Sequence, residues 1–500
     1  MDSNFKNMCL NFSTMIKKLL IGFLVVLVLV ICLIFGLKTL HHHPQGNNDP
    51  KGNDGSPNVE YKNIDVVHYG AAGDGKTDDS QAFLKAWMAV CKAATPSAML
   101  VPSSKTFLLN PVKFEGPCMS SNVGVKILGK VVPPSDVDDW KEFKVKNWLW
   151  FANVSGLDIH GNGHIDGQGA GWWNRKSNGR PTALAVYDCD NLRLSGLTHI
   201  NSPKSHMHIV RCNHAFISQL NILTPEDSPN TDGIDVAYST DVKIQNCSIA
   251  TGSPTLADLH WYEAFGETKS KATRAYAQNE QYHTVVESRD SETHFSTVST
   301  TITGDDCIAI SEGSSNIHIA NIQCGPGHGI SIGSLGEDGA TSAVEEVRVQ
   351  DCHMKGTMYG ARIKTWQGGS GYARKISFRG ITLDQVRNPI IINQYYCNGK
   401  KDCKNETSAV EVSDVSYQGL RGTSATKVAV KLSCSESIGC KNLAFEDIDI
   451  KSTDSDKTTQ SSCSNAHGTS TNTEQRIELM VDLHRYNYEF KNNGNLRAET

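Results

Sequence analysis

The stretch "DVKIQNCSI", Asp241 to Ile249, decides the fold. Val242 and Ile244, then Cys247 and Ile249, alternate with polar positions, the period of a strand that buries one face. Pieces of the same texture recur: "VSGLDIHG", "LRLSGLTHI", "AFISQLNIL", "NIHIANIQC", "EVRVQDCHM", "KISFRGITL" and "NLAFEDIDI". They return roughly every 20 to 35 residues, the spacing of repeat architectures, and most carry Gly, Asn or Asp at an end. No helical stretch separates most of them, which excludes long βαβ crossovers. A sandwich would show more hairpin dipeptides. The pattern predicts an all-β, right-handed parallel β-helix, each strand stacked on the strand one coil earlier. Before it lies "SQAFLKAWMAVCKA", Ser80 to Ala93, with Phe83, Leu84, Trp87, Met88 and Cys91 at helical spacing. This predicts an amphipathic helix, started by Asp79 or Ser80, that caps the first coil.

The 500 residues carry 48 Lys and Arg against 53 Asp and Glu, a net charge of −5. No basic stripe stands out, so nucleic acid is not an expected partner. Lys17 and Lys18 precede 19 uncharged residues, Leu19 to Leu37. As a helix these reach roughly 28 Å, close to a bilayer core. The run is longer than the usual signal-peptide core and no clear cleavage site follows. A cleaved signal and a membrane anchor over residues 1–40 both remain open, and either one exports the rest of the chain. Residues 41–61, rich in Gly, Asn, Pro and Asp, read as a flexible stalk.

Fifteen cysteines fit export. Cys9 and Cys32 belong to the leader, which leaves an odd thirteen. Cys397 and Cys403, and Cys434 and Cys440, are close enough to staple tight loops, while Cys307 and Cys324 could join neighbouring strands. No CxxC pair or HxxxH spacing supports a metal site, and no cofactor is expected. Asn153, Asn246 and Asn405 head glycosylation sequons, a weak signal.

Stacked coils bring distant residues together at about 4.8 Å per strand step. Asp306 to His328 is 22 residues, and His328 to Arg362 and Arg362 to Tyr396 are each 34, so each pair spans about one coil. One groove could then hold Asp305, Asp306, His328, Arg362, Lys364 and Tyr396. Acids beside cations in one cleft suggest catalysis on a charged substrate. Taken singly, "NTDG" and "GDD" are more often turns or caps, "GHG" a tight turn and "RIK" an exposed strand face. The ordered set is more specific than any of its members.

That set resembles the polygalacturonases, family 28 of the glycoside hydrolases. "SPNTDGIDV", "TGDDCIAI", "GPGHGISIGSLG" and "ARIKTW" are similar to its four motifs in its order. "YGAAGDGKTDDSQAF" and "HIDGQGAGWW" are similar to its N-terminal signatures, and "NPIIINQYYCNG" to its plant branch. The resemblance spans roughly Val66 to Ile450. It implies a pectate-lyase-like β-helix over residues 62–463 that hydrolyses α-1,4-galacturonan, the backbone of pectin, with inversion, as a secreted monomer in the cell wall. It also implies roles. Asp305 is the general acid, Asp232 and Asp306 hold and activate water, and His328 tunes the acid. Asn230, Arg362, Lys364 and Tyr396 (or Tyr395) contact the sugar. A lyase would ordinarily lack this acid trio.

One departure stands out. Asp232 and Asp305 are 73 residues apart where the family keeps about one coil. "SIATG" ends at Gly252 and its expected continuation "DDCIAI" begins at Asp305. Ser253 to Gly304, 52 polar residues without strand alternation, is therefore either an extruded loop or a stretch foreign to the mature coding sequence. An inactive, polysaccharide-binding β-helix is the alternative this segment raises. Residues 464–500 read as a divergent tail.

Overall fold

The computed structural model describes residues 59–140, 146–175, 179–225, 228–253, 304–398, 403 and 406–480. The leader Leu19–Leu37 lies outside these, as does all but the last three residues of the stalk. Among the described residues no helix is long and apolar enough to cross a membrane.

The named strands pair in parallel, each with a strand about one coil away in sequence, so the chain winds as a parallel β-helix. One face is an eleven-stranded sheet: β1 Val112–Glu115, β2 Asn147–Ala152, β3 Thr182–Tyr187, β4 Met207–Val210, β5 Ile234–Ala237, β6 Ile308–Ile310, β7 Ile330–Leu335, β8 Tyr359–Trp366, β9 Asn388–Tyr396, β10 Val428–Ser433 and β11 Gln460–Ser464. Two further ladders close the coil and form one 24-stranded sheet.

The opening stretch shows why the sequence folds this way. Asp241–Ile249 spans two strands, Thr240–Gln245 and Ser248–Ser253, with Asn246 turning the corner at φ 55°. The same corner recurs coil after coil as Gly196, Gln219, Asn246, Asn321, Asp351, Gly380, Gly419 and Asp447, all left-handed. Gly, Asn and Asp tolerate that conformation best, which explains their places in the repeats. Asn246 thus has a structural reason to be Asn apart from its sequon.

Inside the coil, like stacks on like. Leu194, Ile217, Ile244, Ile319, Val349, Phe378, Tyr417 and Phe445 form one buried column in register. Its last three rings stack at 5.4 and 4.9 Å between centroids. Burying each such side chain is worth about 1.5–3 kcal/mol, and parallel stacking repeats that gain with every coil.

Helix α1, Ser80–Lys92, closes the N-terminal end. Phe83, Ala86, Trp87 and Val90 are buried, and Trp87 meets Phe114 and Phe151 edge-on at 5.5 Å. Met88, expected on the packed face, is 51% exposed. Asp79 is the N-cap, but its carboxylate accepts from Ala72 and Gly73 backbone N–H groups instead of the helix.

The cysteine reading holds for Cys307–Cys324, Cys397–Cys403 and Cys434–Cys440. Cys91–Cys118, joining α1 to a following loop, was not anticipated. Cys189, Cys212, Cys247, Cys352 and Cys463 are free thiols. The C-terminal boundary needs correction: strand Ala466–Thr473 stacks on Cys440–Ser452, so coiling runs past residue 463. Its residues are almost all polar and only Ala466 is buried, so no alternation marked it as a strand.

Of the 52-residue segment, residues 254–303 lie outside the described residues. Its two ends are described, and they meet. A Cβ on Gly304 would sit 2.9 Å from Gly252 Cα, and the Thr251 hydroxyl donates to Asp305 O at 2.5 Å. β5 pairs with β6 directly, with Gly233 N donating to Asp306 O at 2.9 Å. Deleting 253–304 therefore puts Gly252 nearly where Gly304 stands. The deletion variant is expected to keep polygalacturonate hydrolysis at or above wild type and to melt no lower. A folded deletion protein without activity contradicts this.

A second expectation concerns His199 and His206. They lie in the interior with ring centroids 6.4 Å apart, and none of their four nitrogens has a partner. Burial holds His199 down at about 3, and burial, then the His199 charge, holds His206 well below its usual range. Unfolded, both titrate near 6.5, so below that pH the unfolded chain binds more protons and stability falls as pH falls toward 3. For His199 this costs about 2 kcal/mol at pH 4.5 relative to pH 6.5, and His206 acts in the same direction. His199→Ile, matching Ile165 and Ile222 on either side, should flatten the urea-midpoint dependence between pH 6.5 and 4.5. An unchanged slope contradicts it.

Candidate active site

The outer side of the eleven-stranded sheet carries the motif residues. Three consecutive coils bring Asp232, Asp306 and His328 into one column, just before Ile234, Ile308 and Ile330 of β5, β6 and β7. Two glycines make this possible. A Cβ at Gly233 would lie 2.4 Å from Cys307 O, and one at Gly329 would lie 2.1 Å from Tyr359 O. The "NTDG" and "GHG" glycines thus stand where the backbone of the adjacent coil comes too close to admit a side chain.

Asp305 is 16% exposed and surrounded by donors. Its Oδ1 accepts from Asp306 N–H at 2.9 Å and faces His328 Nδ1 at 3.1 Å, while its Oδ2 accepts from Asn230 Nδ2 at 3.2 Å. Burial pushes its pKa up. The His328 hydrogen bond and the charges of His328, Lys364 and Arg362 outweigh this and hold it below the usual carboxylate range. Asp232 is displaced the other way. Burial, then the charges of Asp235, Asp305 and Asp306, lift it well above that range. The two carboxyls are thus pushed in opposite directions, Asp232 toward holding a proton and Asp305 toward releasing one.

Asp306 is fully buried. Its Oδ1 takes Arg362 Nη2 at 2.5 Å and Ser331 Oγ at 2.8 Å, and its Oδ2 takes Lys364 Nζ at 2.9 Å. Two cations on one carboxylate leave a net positive charge at the floor of the site. Arg362 also lies 4.0 Å over the Tyr359 ring, and Lys364 lies 5.4 Å from Tyr396, which packs edge-on against Trp366. Of the two tyrosines, Tyr396 is the one beside the cations. The Tyr395 hydroxyl accepts from Glu436 N–H instead.

All eight candidate residues, Asn230, Asp232, Asp305, Asp306, His328, Arg362, Lys364 and Tyr396, lie on this face. The register differs from the spacing argument. Tyr359, not Arg362, stacks on His328; Arg362 stacks on Ser331, and Tyr396 on Trp366. The long Arg362 side chain reaches back to Asp306 from there. Sequence reasoning missed Ser331, Tyr359, the His208–Asp235 pair at 2.8 Å beside Asp232, and Arg180, which donates to Asn230 Oδ1 at 3.2 Å. Ser331 and Tyr359 could have been found by counting coils from Ile330 rather than from His328.

Asp305, Asp306 and His328 bring ligand atoms within 4.8 Å, a spacing a metal ion could bridge. Asp306 already balances two cations, and His328 faces Asp305 directly, so the cluster is built for handling protons.

A family model described as glycosyl hydrolases family 28 matches residues 91–257 and 286–473. The break falls inside the 253–304 segment, and the match resumes within it. A probable polygalacturonase of Arabidopsis thaliana is 48% identical over 412 residues, covering 82% of this chain and 78% of that one. A polygalacturonase of Persea americana is 38% identical, covering 84% and 79%. Among solved structures, endo-xylogalacturonan hydrolase from Aspergillus tubingensis superposes with TM-score 0.62 at 22% identity, covering 82% of this chain and 97% of that one. The Erwinia carotovora polygalacturonase gives 0.59 at 18%, covering 87% and 100%. At those identities the structural likeness speaks for the β-helix, and the sequence match speaks for the lineage: the chain belongs to the glycosyl hydrolases of family 28 and is a glycosidase.

Proposed function

We propose that this enzyme hydrolyses α-1,4-galacturonosyl linkages of polygalacturonan with inversion. The observation that carries this reading is the buried Arg362–Asp306–Lys364 cluster beside Asp305. It offers excess positive charge to a uronate carboxylate one side chain from a proton donor. The Arabidopsis and Persea relatives, polygalacturonases by name, support the same substrate.

A uronate drawn to Arg362 and Lys364 offsets the charges that hold Asp305 ionised, and adds its own. Asp305 then rises and takes the proton that Asp232 releases. Protonated Asp305 donates to the glycosidic oxygen as the C–O bond breaks. Asp232, ionised and with Asp306 beside it, activates a water that attacks the anomeric carbon from the opposite face. The proton taken from that water leaves Asp232 protonated and Asp305 ionised, the state in which the cycle began, while His328 holds Asp305 Oδ1 throughout. Every group named comes from one chain, so a monomer suffices. Four disulfides suit an oxidising compartment. We place the catalytic domain outside the cytoplasm, in the wall, released or held by Leu19–Leu37.

The upward shift of Asp232 favours one second reading, in which Asp232 is the acid and Asp305 the base. Substrates with a leaving group that needs no proton separate the two. Asp305→Asn should lose about 10²–10⁴-fold on polygalacturonate yet keep most of its rate on an aryl galacturonide, whereas Asp232→Asn loses both. The reverse pattern exchanges the roles.

The cations make a further expectation. Arg362→Gln or Lys364→Met should weaken binding of polygalacturonate roughly tenfold or more, and binding of the methyl-esterified polymer far less, because only the free carboxylate forms charge-assisted hydrogen bonds. Equal losses on both polymers, in variants with wild-type melting, show that these side chains only support Asp306.

A further inference from the structure

Arg180 is 4% exposed and faces no carboxylate among the described residues. Its guanidinium crosses two coils. Nη1 donates to Pro203 O at 3.1 Å and to Pro229 O at 2.6 Å, and Nη2 donates to Asn230 Oδ1 at 3.2 Å. Nε has no partner among the described residues. A buried cation whose acceptors among those residues are all neutral is costly to maintain.

The contact with Asn230 has a consequence for Asp305. Arginine has no acceptor, so the Asn230 oxygen must face Arg180. The Asn230 NH₂ must then face Asp305 Oδ2, where it lies 3.2 Å away. Asn230 sits at φ 55°, so its backbone is held in a left-handed turn as well. We propose that Arg180 is a positioning residue for the proton donor: by fixing the Asn230 amide, it fixes which lone pair of Asp305 can carry the proton. Oδ1 is taken by Asp306 N–H and His328. One lone pair of Oδ2 is taken by Asn230. The proton has one place left, the second lone pair of Oδ2, so the carboxyl donates in a single direction.

Without Arg180 the amide is free to turn and set its oxygen against Oδ2. Two acceptors then face each other and require a proton between them. Asp305 holds that proton longer and aims it at Asn230 instead of the substrate. The other titratable or charged groups around Asp305 are His328, Asp306, Asp232, Arg362, Lys364 and Tyr396, and the substitution touches none of them directly.

This inference rests on the hydrolase reading, with Asp305 as acid. The experiment is the pH profile of kcat/KM on polygalacturonate for wild type, Arg180→Met, Arg180→Lys, Asn230→Ala and the double variant Arg180→Met/Asn230→Ala. Melting temperatures and polygalacturonate affinity are measured alongside. Arg180→Met should lose roughly 10- to 100-fold in kcat with little change in affinity, and its alkaline limb should move up by roughly one pH unit. In the Asn230→Ala background, Arg180→Met should move the limb no further. If Arg180→Met does not fold, Arg180→Lys, which keeps the charge and can hold the two carbonyls, carries the same comparison. An unmoved limb in whichever Arg180 variant folds overturns the proposal and leaves Arg180 a staple between coils. So does a shift that persists in full without Asn230. An inactive wild type overturns the hydrolase reading, and this inference with it.

Discussion

Every coil of this protein has to turn the same corner at the same place. The ladder between strands admits one spacing, about 4.8 Å, and one direction. A residue that turned early would move its neighbours to the wrong face. The column from Gly196 to Asp447, all at positive φ, is how the chain meets that demand. The rest follows from it. Apolar positions fall on apolar positions and build the interior, while polar positions fall on polar positions outside. Asp232, Asp306 and His328, far apart in the chain, come to lie one above another.

The active-site face uses this stacking to set charges against each other. Asp306 is buried with Arg362 and Lys364 on its two oxygens. That carboxylate anchors both cations. The remaining positive charge acts on Asp305, and the remaining negative charge acts on Asp232. Two acids of the same chemistry are thereby driven apart, as a pair of opposite proton tasks requires. Arrival of an anionic sugar changes this balance at the same spot.

Much of this was legible in the sequence, for physical reasons. Alternation marks strands, and left-handed corners demand Asn, Asp and Gly, so the repeats showed the β-helix. Coil spacing points to Asp305, Asp306, His328, Arg362, Lys364 and Tyr396, and the ordered family 28 motifs add Asn230 and Asp232. What escaped depended on register. Loop length varies from coil to coil, so equal spacing did not mean equal height, and Tyr359 rather than Arg362 stands over His328. Strand Ala466–Thr473 escaped because its surface is polar on nearly every position. Arg180 escaped because nothing local announces a buried cation: its partners lie one and two coils on. The upward displacement of Asp232 escaped because it depends first on burial, which no spacing reveals.

The meeting of Gly252 and Gly304 has a bearing on how the molecule holds together. Asp232 belongs to the coils before that junction, and Asp305, His328, Arg362 and Lys364 to those after it. Among the described residues no disulfide crosses it: Cys91–Cys118 lies on one side, and Cys307–Cys324, Cys397–Cys403 and Cys434–Cys440 on the other. The intervening segment carries the covalent connection between the two halves. Main-chain ladders and interior columns join them everywhere else. A single proteolytic cut between residues 254 and 303 would yield two polypeptides clasped along one coil boundary, with Asp305 on one and Asp232 on the other. The β-helix is in that sense a two-piece enzyme already, threaded on one strand of chain.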